Sequence, residues 1–166
     1  MKELIFIAGA PGIGKSTVAH KLQKMLKSPC FEFGWIPEFR YKENQEIDYV
    51  EEEGIAFENL VLVIKNYLKH GFKNIIITDL EDKRIFEIDK HFSAVDYCIF
   101  TLTTSDSNLL KERVLDEGRT SGYRDWQKAL EINDAILKRE LLSNEIRIDN
   151  SNITIQLVLD EIKSQL

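Results

Sequence analysis

The chain is poor in the residues that staple or interrupt small folds. Of its 166 residues two are cysteine and three are proline. Cys30 and Cys98 both sit in apolar surroundings, so they read as buried thiols of a reducing compartment rather than as a disulfide. A domain of this length buries roughly 70% of the surface its unfolded form exposes, so it needs no such staple. Pro11, Pro29 and Pro37 fall at expected turns, and no Pro/Gly/Ser-rich linker, internal repeat or low-complexity tract divides the chain. One domain spanning residues 1–166 is expected. There is no apolar run of about 18 residues, which excludes a membrane-spanning helix. The run 4–8 is too short, and too close to Glu3, for a secretion signal, so a cytoplasmic location is expected. Histidine is scarce too. His20, His70 and His91 are scattered, lack a cysteine partner at metal-ligand spacing, and read as surface residues.

Basic charge is missing from one window. Glu43, Glu46, Asp48, Glu51, Glu52, Glu53 and Glu58 lie within residues 43–64 without a single lysine or arginine. The window carries −7 of a net charge of −6, leaving the rest of the chain at +1. A long nucleic acid needs a basic stripe, and none is present.

What the chain does have is the ordinary balance of a globular protein, 43% hydrophobic and 30% charged. Leu4, Ile5, Phe6, Ile7 and Ala8 form a continuous apolar run, the pattern of a strand covered on both faces. Val18, Ala19, Leu22, Met25 and Leu26 then fall at helical spacing, predicting a helix to about Lys27. Residues 30–33 read as a short strand, and the aromatic, acidic stretch 34–54 as irregular. A helix over 55–68 closes at Gly71, and a strand over 75–79 ends in Asp79. A strand over 97–102 and helices over 107–117 and from Trp126 to about Leu141 follow. A strand over 146–148 and a helix over 155–166 complete the chain. Alternation of this kind predicts an α/β fold with a mainly parallel sheet and helices on both faces.

Between the first strand and the first helix lies Gly9-Ala10-Pro11-Gly12-Ile13-Gly14-Lys15-Ser16, followed by Thr17. This is the full G-x-x-x-x-G-K-[ST] pattern of a phosphate-binding loop. Glycines let backbone N–H groups curl around a β-phosphate, and the helix starting near Lys15 directs its positive end at the same oxygens. Lys15 is placed to reach the β- and γ-phosphates and Ser16 to bind Mg²⁺. ATP with Mg²⁺ is the expected ligand. Asp79 ends an apolar strand, where a carboxylate supporting the metal belongs; a helix N-cap or a solvated strand end is the alternative.

On these residues the chain resembles the P-loop small-molecule and nucleotide kinases. The resemblance is carried by residues 9–16, Asp79, Arg113, Arg119 and the segment Ile148-Asp149-Asn150-Ser151. It implies a three-layer P-loop NTPase fold, with five parallel strands in the order 2-3-1-4-5 and helices on both faces. It further implies an acceptor region over about 34–72 and a lid over about 113–125. Arg113 and Arg119 resemble lid arginines, whose guanidinium groups suit developing phosphate charge; Arg124 is a further candidate. Asn150 falls in the segment where relatives contact the nucleotide base, and turn chemistry explains it equally.

Within that superfamily the chain is most similar to chloramphenicol phosphotransferase-like ATP-binding proteins, on the spacing of Phe33-Gly34 from the loop. Those relatives carry an acid where this chain has Ile36. Glu38, two residues on, is the candidate base for the acceptor hydroxyl, and Glu32 is a second. Trp35, Phe39, Tyr41 and Phe57 either stack on an acceptor ring or roof the core.

The expected function is an ATP-dependent phosphotransferase that moves the γ-phosphate to a hydroxyl of a small molecule. The alternatives are a nucleotide-binding switch or weak NTPase without an acceptor, and a nucleoside monophosphate kinase. Between residues 32 and 95 the arginines are Arg40 and Arg84 alone, which argues for a neutral or cationic acceptor over a monophosphate. The sequence assigns no oligomeric state.

Overall fold

The computed structural model describes residues 2–35, 48–119 and 121–166. Continuous apolar runs become strands β1 (Leu4–Gly9), β2 (Cys30–Glu32), β3 (Ile75–Thr78), β4 (Tyr97–Thr103) and β5 (Glu145–Asp149). They form one parallel sheet in the order β2-β3-β1-β4-β5, the order the kinase resemblance implies. β1 is central, with Phe6 opposite Ile77 on one side and Ile99 on the other. The crossovers that parallel pairing requires are made by α1 (Lys15–Leu26), α2 (Tyr49–Lys69), α3 (Asp82–Ile85), α4 (Ile88–Phe92), α5 (Ser107–Leu115) and α6 (Trp126–Lys138). Helix α7 (Ile155–Ser164) closes the chain.

Side chains of a strand alternate between faces, and β1 shows what that does to the core. Ile5 and Ile7 join one buried cluster with Val18 and Leu22 of α1, Leu110 and Val114 of α5, and Val158 and Ile162 of α7. Leu4, Phe6 and Ala8 join the other, with Phe57, Leu60 and Ile64 of α2 and Phe92 of α4. The sheet is therefore a middle layer between two helical ones. No helix among the described residues is long and apolar enough to cross a membrane.

The stretch 34–54, expected to be irregular, is corrected in its second half. Helix α2 begins at Tyr49, with Asp48 at its N-cap position and Glu51 and Glu52 in its first turn, where carboxylates favour the positive end of the helix dipole. Glu53 is buried at 3% exposure. Its carboxylate accepts two hydrogen bonds from Arg84 at 2.9 and 2.6 Å, and Lys83 lies 3.0 Å away. Part of the acidic window is thus neutralised by cations of α3, and Asp48, Glu51 and Glu58 are exposed on or beside α2. Phe57 also proves structural. Its ring is 4% exposed and packs beneath the Arg84 guanidinium at 4.6 Å. Ile36, Glu38, Phe39, Arg40 and Tyr41 lie outside the described residues.

A second ionic staple joins β5 to α3. The Glu145 side chain has no exposed surface and is gripped by Arg139 at 2.6 and 2.7 Å, while Arg139 also reaches both Asp82 oxygens at 3.1 Å. Burial alone would push the Glu145 carboxyl up. Hydrogen bonds from Arg139, the Leu142 N–H and Thr101 outweigh it and hold the group below its ordinary value. Arg139→Ala, which strands a buried carboxylate, is expected to cost about 3–5 kcal/mol in urea denaturation at pH 7. A depressed carboxyl stabilises the fold above its unfolded pKa and loses that contribution as the pH falls, here below about pH 4.3. The wild type should therefore lose more stability between pH 7 and pH 3 than Arg139→Ala does.

Candidate active site

At the carboxyl ends of β1 and β3 the chain forms an open cleft of about 750 Å³, floored by residues 11–17. The floor depends on two close approaches. Gly9, with φ +133°, lies so near β4 that a Cβ would sit 2.4 Å from the Leu102 carbonyl oxygen. Gly12, with φ +81°, is pressed on α5, where a Cβ would meet Val114 Cγ2 at 2.5 Å. Neither contact leaves room for a side chain, and both backbone conformations favour glycine. The loop is therefore seated between β4 and α5 before any ligand enters.

Lys15 opens α1 and is only 7% exposed. Its ammonium donates to the Ala10 carbonyl at 3.2 Å and lies 3.5 Å from Asp79 Oδ1. Burial holds the group below the usual lysine range, and the Asp79 carboxylate pulls the other way. Asp79 follows β3 with φ +69°, a left-handed conformation that aspartate tolerates better than most residues. The strand ends one residue before Asp79, at Thr78, whose hydroxyl donates to the Ile7 carbonyl at 3.2 Å across to β1.

Glu32, named in the sequence as a second candidate base, is the acidic wall on the β2 side. The Ser16 hydroxyl donates to its Oε1 at 2.7 Å, and His20 Nε2 lies 3.6 Å from its Oε2. His20, read as a plain surface residue, therefore borders the site. The signal that could have found it is its spacing, four residues after Ser16 on one helix face.

The opposite wall holds the arginines. Arg113, on α5, donates to Asn150 Oδ1 at 3.0 Å, and Asn150 Nδ2 in turn donates to the Ile13 carbonyl at 2.7 Å. Asn150 is buried, and its N–H donates to the Thr103 carbonyl at 3.0 Å. This residue braces the phosphate loop from the end of β5, a role that spacing alone does not reveal. Burial holds the Arg113 guanidinium below its ordinary value, with Asp106 opposing the shift. Arg119 also lines the cavity, its Nη1 donating to the Val114 carbonyl at 3.0 Å and the Tyr123 carbonyl at 3.4 Å. Arg124 instead donates to the carbonyls of Ser121 and Tyr123, at 2.6 and 2.9 Å, and does not line the cavity. The structure thus gathers Lys15, Ser16, Thr17, Asp79, Arg113, Arg119 and Asn150 around one space, with Gly9 and Ala10 behind the loop.

No protein-family model and no curated protein matches the chain. Solved structures do match over almost its whole length. A sugar kinase from Janibacter sp. aligns at TM-score 0.70 and 14% identity, covering 99% of this chain and 94% of that one. The shikimate kinase of Acinetobacter baumannii, in complex with shikimate, aligns at TM-score 0.60 and 16% identity, covering 99% and 93%. The YorR protein of Bacillus subtilis, in complex with phosphorylated GDP, aligns at TM-score 0.61 and 19% identity, covering 98% and 94%. At such identities the likeness establishes architecture: the chain has the three-layer α/β fold of the P-loop kinases.

Proposed function

We propose that the protein transfers the γ-phosphate of ATP to a hydroxyl of a small molecule. The observation that carries this reading is one cavity whose floor is a seated phosphate loop with a buried lysine, and whose walls are carboxylates on one side and arginines on the other. Phosphoryl transfer asks a protein for positioning and charge more than for covalent chemistry. Lys15 offers a positive charge already in place, beside the N–H groups at the start of α1. Arg113 and Arg119 offer planar donors for the transferring group from the segment 113–125, whose closure over a nucleotide would exclude water.

Ser16 and Asp79 are hard oxygen donors lining the same space, which suits Mg²⁺. Among the described residues no group of three or more histidine, cysteine or acidic side chains forms a closed cage. That fits an ion held largely by phosphate and water. When bound, Mg²⁺ neutralises charge on the phosphate oxygens. In this reading Glu32 takes the proton of the acceptor hydroxyl as its oxygen bonds to the γ-phosphorus and ADP leaves; Glu38 is the other candidate. On the acceptor side, Arg84 is occupied by Glu53 and Glu87, at 2.6 and 2.8 Å. That favours a neutral or cationic acceptor over a nucleoside monophosphate, despite the bound nucleotide named for YorR.

A panel of nucleosides, nucleoside monophosphates, sugars, hydroxylated antibiotics and shikimate-like acids, incubated with γ-labelled ATP, tests the reading. Label on an uncharged or cationic hydroxyl compound, at a higher initial rate than on any monophosphate, is expected. Label released only to water would sink the transferase reading in favour of an NTPase.

Lys15→Ala should lower turnover by about 10²–10³-fold, as loss of a preorganised charge does elsewhere, and calorimetry should show weakened MgATP binding. Its melting temperature should stay within a few degrees of wild type. Asn150→Ala should loosen the Ile13 carbonyl and raise the Kd for MgATP by about tenfold, the equivalent of about 1.4 kcal/mol for one lost brace. An unchanged Kd would assign Asn150 to the turn alone.

A further inference from the structure

Ser16 and His20 stand one turn apart on α1 and reach the same carboxylate from the same helix face. Glu32 Oε1 accepts the Ser16 hydroxyl at 2.7 Å, and Oε2 faces His20 Nε2 at 3.6 Å. The second distance is that of an ion pair, longer than a hydrogen bond. The Glu32 side chain is 17% exposed and that of His20 41%, so the imidazole sits further out towards solvent than the carboxylate it faces.

We propose that His20 is a positioning residue of the phosphotransfer site, acting through Glu32; the inference rests on the reading of Glu32 as the group that takes the acceptor proton. The terminal torsion of a glutamate is broad and roughly two-fold. One hydrogen bond on Oε1 therefore leaves the carboxylate plane free to swing about the Ser16 contact. A partner on Oε2 removes that freedom. An N–H at Nε2 serves this purpose once the 3.6 Å contact shortens to hydrogen-bond length, as contacts at catalytic groups do when substrate binds.

The orientation matters because a base works only within about 2.6–3.2 Å of the proton it takes. With Oε1 occupied by Ser16, Oε2 is the oxygen left to accept from the substrate hydroxyl. His20 touches neither nucleotide nor acceptor in this scheme. It determines where Oε2 stands.

Two measurements on the full chain test the inference. Long-range ¹H–¹⁵N spectra of the ligand-free protein at one fixed pH read the pairing without turnover. Glu32→Gln should move the ring nitrogen resonances of His20 and leave those of His70 and His91 in place. Unmoved His20 resonances overturn the pairing. The second measurement is steady-state kinetics with the fastest hydroxyl compound of the panel above. His20→Ala should lower kcat by about tenfold, in keeping with the cost of small misplacements, with the KM for MgATP unchanged. His20→Gln, whose carboxamide presents an N–H in the same direction, should recover most of the loss. The double variant His20→Ala, Glu32→Gln should be no slower than Glu32→Gln alone, since both changes act at one carboxylate. Losses that multiply, or a raised KM for MgATP with kcat intact, overturn the positioning role. If the His20 resonances respond and no compound is phosphorylated, it is the kinase reading that fails, so the two failures are told apart.

Discussion

Lys15 is 7% exposed, and an ammonium so far from water is stable only where oxygen atoms stand in for its hydration shell. Two do so here, the Ala10 carbonyl and the Asp79 carboxylate. Much of the neighbouring architecture follows from supplying them. β1 and β3 must be adjacent, so that a loop leaving one faces a carboxylate leaving the other. Asp79 must turn left-handed immediately after the strand. The Asp79 contact at 3.5 Å is loose and its side chain is half exposed, so the cation is incompletely compensated. Polyphosphate oxygens at this position would complete the shell that the Ala10 carbonyl and the Asp79 carboxylate leave open.

The opposite wall is organised around a different atom. The Ile13 carbonyl, at the tip of the loop, accepts from Asn150, and Arg113 joins the same cluster through Asn150 Oδ1. Asn150 is anchored in turn to the end of β4 through Thr103. Loop, edge of the sheet and α5 are thus tied by short polar contacts, while Gly12 against Val114 supplies the apolar one. A guanidinium already partly buried, as that of Arg113 is, would lose less hydration on meeting a phosphate than a fully solvated one.

Legibility in the sequence tracked the range of the interaction. β1 was plain because burial on both faces leaves an unbroken apolar run, and the phosphate loop because its chemistry is contiguous. The start of α2 was hidden by Glu51, Glu52 and Glu53, which look like a solvated acidic run. Glu53 is buried only because Lys83 and Arg84 arrive from α3, about thirty residues later. The same holds for Asn150, whose partner carbonyl is 137 positions away. Phe57 belonged to the core because its face of α2 turns to the sheet, which the aromatic count around it obscured. Glu32 was visible as an acid in a short strand, but its meeting with Ser16 and His20 required the crossing of β2 and α1.

The central place of β1 carries a consequence for how the chain is made. The first of the five strands to leave a ribosome has its two sheet neighbours far downstream, Leu4 pairing with Ile75 on one side and Tyr97 on the other. At about 5–20 residues per second, several seconds separate the synthesis of β1 from that of the first strand able to flank it. Through that interval a short, uncharged, strand-forming segment has its apolar faces uncovered by the sheet, the composition most prone to pairing with another nascent chain. The strand that makes the best core is also the one that waits longest for its place in it.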